Sequence, residues 1–275
     1  MRYTRSLLLL LVLGALTVMT PLSAQNTTQK PAAPKPSGGG GIPRTADGKP
    51  DFSGTYQWPT YLPGAERGRS SATTFDRKNF APLKPGGEAF LEPRTGDPRH
   101  DEPRDFCMPA GFPAGMLSGN AMQWFQTKNY LTIVHEFQRM SRIIPLDGRP
   151  HRKDIEPSFY GDPVGHWEGD TLVIVTKNFK RWMMDDYFYT DPKEFRMHSD
   201  ALTTTERIQW KDKDTMSYLL TIDDPKTFTK PWSQEFQIKA KPEWDQVGLF
   251  EYVCEENNRC QGGNCSVSDA QKPPK

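Results

Sequence analysis

Three features of the sequence predict a mainly β protein. From residue 122 onward, short apolar runs recur at hairpin spacing, separated by polar turn residues. Helical periodicity is nearly absent, which argues against any α/β architecture. Residues 52–122 are rich in Pro and Gly and carry aromatics (Tyr56, Trp58, Tyr61, Phe75, Phe80, Phe90) at irregular intervals, as in a segment that wraps a core built elsewhere. The predicted fold is a single antiparallel barrel or barrel-like sandwich with an irregular Pro/Gly-rich N-terminal wrap. A closed barrel is the preferred form because it leaves no strand edge unpaired.

The chain opens with a leader. Arg2 and Arg5 form a basic start, and residues 7–18 are apolar with only Gly14 and Thr17 interrupting. That run is shorter than the roughly 20 residues needed to span a bilayer, so a cleaved signal peptide is expected over 1–24. Pro21-Leu22-Ser23-Ala24 breaks the helix and sets a small residue at the cleavage point before Gln25. An uncleaved anchor is the competing reading. No Cys follows the cleavage point, so no lipid anchor is expected. No later segment is apolar enough to cross a membrane, and the mature chain is expected in the periplasm or secreted.

Residues 25–43 hold almost nothing that can be buried, and their Pro and Gly content predicts a flexible linker. Residues 44–258 are the expected β domain and 259–275 a C-terminal tail. Hydrophobic residues at 35% and charged residues at 25% fit a globular product. Removing the leader takes two of the 35 basic residues, leaving 33 against 34 acidic ones. A net charge near −1 gives no positive field for nucleic acid or anionic membrane, so no nucleic-acid partner is expected.

Cys107, Cys254, Cys260 and Cys265 are an even set in an exported chain, which predicts two disulfides. Spacing favours a short Cys260–Cys265 loop, closed through Gly262 and Gly263, and leaves Cys107 with Cys254. A long loop of that kind contributes about 4 to 5 kcal/mol on the chain-entropy account. A zinc site from the last three cysteines competes, but their C-x5-C-x4-C spacing lacks a C-x2-C knuckle.

Strands are expected at 122–126 and 130–137, around Thr127-Lys128-Asn129, then at 139–146, ending in the turn Asp147-Gly148-Arg149-Pro150. Residues 164–167 and 171–176 flank Glu168-Gly169-Asp170, and 201–210 and 215–223 flank Lys211-Asp212-Lys213-Asp214. Runs at 232–240 and 248–254 complete the series, with one short helix expected near 87–91.

The stretches T-A-D-G-K-P-D-F-S-G-T-Y, I-P-L-D-G-R-P-H, G-H-W-E-G-D-T-L-V-I-V-T, E-R-I-Q-W, T-I-D-D-P-K-T-F-T-K-P-W and E-Y-V-C-E-E-N-N resemble a large family of exported bacterial proteins. The resemblance spans nearly the whole mature chain. It implies a single domain and supports pairing Cys107 with Cys254. W-E-G-D-T-L-V is more weakly similar to hairpins of lipocalin-like barrels. No activity attaches to the family, so no catalytic residue carries over.

The sequence holds no G-x-S-x-G elbow, Walker loop, Rossmann fingerprint, H-E-x-x-H or C-x-x-C-H, and so no nucleotide or haem motif. A glycosidase carboxylate pair is not selected by any local motif. Residues two apart on a strand share a face, so His166 with Glu168 and His198 with Asp200 form two dyads. Converging on one point, they would suit a divalent metal, with His166 and His198 as ligands. The alternative leaves Glu168 in its turn and His198 at a solvated loop end.

Glu206 shares a face with Leu202, Ile208 and Trp210, and Glu136 with Tyr130, Thr132 and Val134; His135 lies on the face of Leu131 and Ile133. A carboxylate on an apolar face must be paired, protonated or open to a cavity. Glu206 or Glu136 is thus either a general acid/base, alongside His198 and Asp200, or half of a cross-strand salt bridge. Arg142 and Arg207 are the available cations, for such a pair or for a ligand. Aromatics crowd 124–189, and Tyr160, Trp167 and Trp182 are candidates for the wall of an apolar pocket, or for plain packing. The leading functional reading is a barrel that binds a small, partly apolar molecule. An enzyme of the same fold and an envelope interaction protein are the alternatives.

Overall fold

The computed structural model describes residues 41–60, 75–93, 95–96, 104, 107–185 and 194–252. The leader, most of the linker, Cys254, Cys260, Cys265 and the C-terminal tail lie outside the described residues. Those described belong to one compact unit, 38–275. No helix among them is long and apolar enough to cross a membrane.

Among the described residues twelve strands run in chain order: β1 Gly54–Tyr56, β2 Leu91–Pro93, β3 Met122–Gln126, β4 Tyr130–His135, β5 Ser141–Pro145, β6 Asp162–Glu168, β7 Thr171–Lys177, β8 Trp182–Met183, β9 Glu194–His198, β10 Thr203–Trp210, β11 Thr215–Asp223 and β12 Trp232–Lys239. Alternation is cleanest in β12, where Trp232, Gln234, Phe236 and Ile238 are buried and the residues between them exposed. The strands form three antiparallel sheets: β1-β3-β4-β5, β12-β11-β10-β7-β6 and the small β2-β9-β8.

The two larger sheets share one core and meet at two seams. At one, Gln57 N donates to Lys239 O at 3.0 Å and Lys241 N to Thr55 O at 2.8 Å, with a further bridge between Thr60 and Gln237. At the other, Gly148 N donates to Gly165 O at 3.0 Å. Neither seam is a continuous ladder. Pro59 interrupts the first and Pro145 ends β5 beside the second, and proline has no N–H to extend a ladder. The preferred closed barrel therefore does not form, and the arrangement is sandwich-like.

Aromatic contacts fix the wrap onto this frame. Phe52 is stacked between Trp167 and Trp210, with ring centroids 5.8 and 5.9 Å away. Phe80 sits 4.7 Å from Trp232, Phe75 5.0 Å from Trp232, and Phe90 5.1 Å from Phe228. Each ring docks singly, which is why these residues have no period in the sequence.

Two expected strands differ. The 130–137 run stops at His135, because Glu136 turns helical (φ −63°, ψ −45°) and Gln138 and Arg139 take left-handed φ of 55° and 49°. Residues 248–252 form no strand; Gly248, at φ +72°, closes a turn in which its N–H donates to Trp244 O. The short helix near 87 is a 3-10 turn, Gly87–Phe90.

Candidate functional site

The predicted polar residues are distributed over the interior and two pockets. In the interior, Arg142 stands opposite Ile133 on the inward face of β5, and Glu206 opposite Ile174 and Leu220 on the inward face of β10. They meet across the gap between the large sheets as a bidentate pair: Nη1 donates to Oε2 at 3.0 Å and Nη2 to Oε1 at 2.6 Å. Tyr218 Oη adds a third donor to Glu206 at 2.8 Å. The guanidinium lies 3.9 Å from the Phe112 ring centroid, and both charged side chains are almost wholly buried. Burial works against the charge on Arg142, but the Glu206 carboxylate more than offsets it and its pKa is raised. Burial, then the Glu206 charge, holds the Tyr218 hydroxyl well above its usual range. Glu206 is thus half of an ion pair between sheets, and Arg207 points the other way, donating to Glu168 at 2.8 Å.

Beside the pair, His135 is buried with neither ring nitrogen hydrogen-bonded. Burial, with Arg142 nearby, pushes its pKa down to about 3. Thr204 Oγ1 and Arg142 Nε also lack protein partners. Such buried groups call for ordered water, as polar atoms cut off from solvent are costly when unpaired.

The two His-acid dyads do not converge. His166 and Glu168 are exposed at the β6–β7 hairpin, 3.3 Å apart. His198, expected on a solvated loop end or a metal, is buried on β9. Its Nδ1 lies 2.9 Å from Ser199 O, its ring is edge-on to Phe179, and burial lowers its pKa to about 4. Asp200 turns outward to Lys226 Nζ at 2.5 Å. Among the described residues no group of three or more His, Cys, Asp or Glu is placed to hold a metal. The physical reason is that β6 presents His166 to solvent while β9 presents His198 to the core.

The aromatic candidates pack instead of lining a pocket mouth. Trp167 stacks on Phe52 with Lys49 Nζ 5.6 Å from its ring. Trp182 donates to Pro109 O at 2.9 Å and packs against Phe159, Met183 and Met197. Tyr160 packs on the main core, and burial pushes its hydroxyl up to about 12.

Two pockets remain. One, about 320 Å³, is bordered by Arg181, His198, Asp200 and Lys226, and its charges are already paired: Arg181 with Glu92 and Lys226 with Asp200. The other, about 330 Å³, is mostly apolar and lined by Trp58, Asn120, Glu136, Trp244, Val247 and Phe250. It forms where strands end together. Trp58 follows β1, Asn120 precedes β3, Glu136 follows β4, and Trp244 closes the 3-10 turn Pro242–Trp244 after β12. Glu136 N donates to Ala121 O at 2.9 Å, and Glu136 Oε2 accepts from Phe250 N at 3.1 Å, which ties the 244–250 segment to the end of β4. Among the described residues Glu136 has no cationic partner. Val247 and Phe250 are 65% and 67% exposed, so the apolar wall is open. The sequence pointed to Glu136 alone in this pocket.

Compared with known proteins, the chain matches no family model and no curated protein.

Glu206→Gln is expected to destabilise by about 3 to 5 kcal/mol, because it leaves a buried guanidinium without its counter-charge. The double change Arg142→Met with Glu206→Leu is expected to cost much less than the sum of the single changes. Additive losses in urea denaturation would refute the pairing.

A second expectation concerns acid. His135 and His198 titrate normally near 6.5 but near 3 and 4 in the fold. The unfolded chain therefore takes up protons as pH falls below 6.5 while the fold does not. The stability held above pH 6.5 is lost on the way down to about 4 for His198 and about 3 for His135, at up to about 1.4 kcal/mol per pH unit for each. His135→Leu is expected to flatten the fall by about one proton. An unchanged slope in urea midpoints against pH would show that His135 carries none of it.

Proposed function

We propose that this chain is an exported β protein that binds a small, partly apolar molecule in the pocket bordered by Trp58, Glu136, Trp244 and Phe250. One observation carries the reading: an open apolar wall of two indoles, a phenyl ring and Val247 surrounds a carboxylate that no cation among the described residues neutralises. A concave, mostly apolar wall with a few placed polar groups is how small-molecule sites are built. Asn120, whose side-chain amide has no protein partner among the described residues, supplies a donor and an acceptor. The leader and the family motifs support export.

Binding of the neutral probe 1-naphthol, followed by its own fluorescence, is expected to saturate. Trp58→Ala is expected to weaken it at least tenfold with little change in melting temperature, because the lost ring is a half-buried wall. Equal affinity in the variant would move the site elsewhere.

We also propose the disulfides Cys107–Cys254 and Cys260–Cys265. Cys107 is not a free thiol, the only one of the four cysteines among the described residues. Peptide mapping under non-reducing conditions is expected to recover these two links; a Cys107–Cys265 peptide would overturn them.

A further inference from the structure

We propose that the molecule held in the Trp58–Trp244 pocket is an organic cation, an ammonium group on a small apolar or aromatic skeleton. This rests on the binding reading above and adds its charge. Glu136 sits at the end of β4 with Oε2 held by Phe250 N, and Oε1 has no protein hydrogen bond among the described residues. The positive side chains nearest in sequence are engaged elsewhere. Arg139 Nη2 donates to Leu249 O at 3.2 Å, and Lys241 Nζ lies 3.7 Å from Glu243 and 5.5 Å from the Trp244 ring. Among the described residues no charged residue other than Glu136 lines the pocket.

Three kinds of occupant can be ranked by charge. An anion would be placed against the carboxylate and repelled. A neutral molecule would cover the indoles but strip water from Glu136 without replacing it, which offsets much of the gain. An ammonium group satisfies the carboxylate by a charge-assisted hydrogen bond while its skeleton covers the apolar wall. The Trp58 indole favours it further, since Trp presents the most attractive ring face to a cation, whereas the Trp244 ring already has Lys241 Nζ 5.5 Å from its centroid. Protonated amines and quaternary ammonium compounds share this chemistry. They differ in whether an N–H reaches Oε1.

The test uses the mature protein and three probes with one skeleton: 3-phenylpropylammonium, 3-phenylpropan-1-ol and 3-phenylpropanoate, titrated at pH 7 by calorimetry. The ammonium is expected to bind about tenfold more tightly than the alcohol, and the carboxylate weakest. Raising salt should narrow the gap. Glu136→Gln is expected to remove the ammonium's advantage over the alcohol, with the alcohol itself binding no more weakly than before, since a neutral amide costs less to desolvate. An alcohol that binds as well as the ammonium in the unaltered protein, with Trp58→Ala still weakening both, would overturn the cation and leave the pocket standing. Failure of all three probes would overturn the pocket reading as well. The unaltered protein alone decides, so a Glu136→Gln chain that failed to fold would not rescue the proposal.

Discussion

A guanidinium and a carboxylate sealed from water between two sheets constrain everything around them. Once Glu206 is turned inward on β10, Arg142 must stand opposite it on β5, or a bare charge is left in the core. The pair therefore sets how the sheets face each other. It also fixes register. Arg207 is the next residue on β10, and a slip of one position would turn it inward toward Arg142 and expose the Ile208 and Trp210 face. An apolar pair of the same volume would fill the space, but it would not penalise that slip as heavily.

Around this pair the interior is polar. His135, Thr204 and Tyr218 join Arg142 and Glu206, and Phe112 covers the guanidinium face. The apolar bulk lies to either side: Phe52, Trp124 and Trp210 toward one end, Phe75, Phe80, Phe228 and Trp232 toward the wrap. The pocket stands apart from all of it. Its walls come from chain that has just left a strand, where backbone is free to turn and large side chains can remain open.

The strands from 122 to 239 were legible because their signals are local: alternation in β10 and β12, and turn residues between partners. Glu206 was legible for the same reason, since a carboxylate on an apolar stripe demands a partner. Which arginine answers was not, because Arg142 reaches it from another sheet. The strands β1, β2, β8 and β9 escaped notice, being short and drawn from irregular segments. Aromatic density around Trp167 and Trp182 fitted packing as well as a pocket wall, since large rings are buried in either case. The pocket itself had no local signature. Trp58, Asn120, Glu136 and Trp244 come from four segments, and only the folded chain places them together.

The seams have a consequence for how the molecule meets its own copies. A sandwich ordinarily offers four bare strand edges, each a template for a neighbouring chain. Here the second half of β12 is met by residues 55–60, and β6 is met by Gly148. The edge strands of the small sheet, β2 and β8, are three and two residues long. By bringing its sheets edge to edge without closing them, the chain restricts cross-strand association at high concentration. The same incomplete closure leaves one end loose enough to hold a pocket, a combination that a fully laddered barrel would not provide at that end.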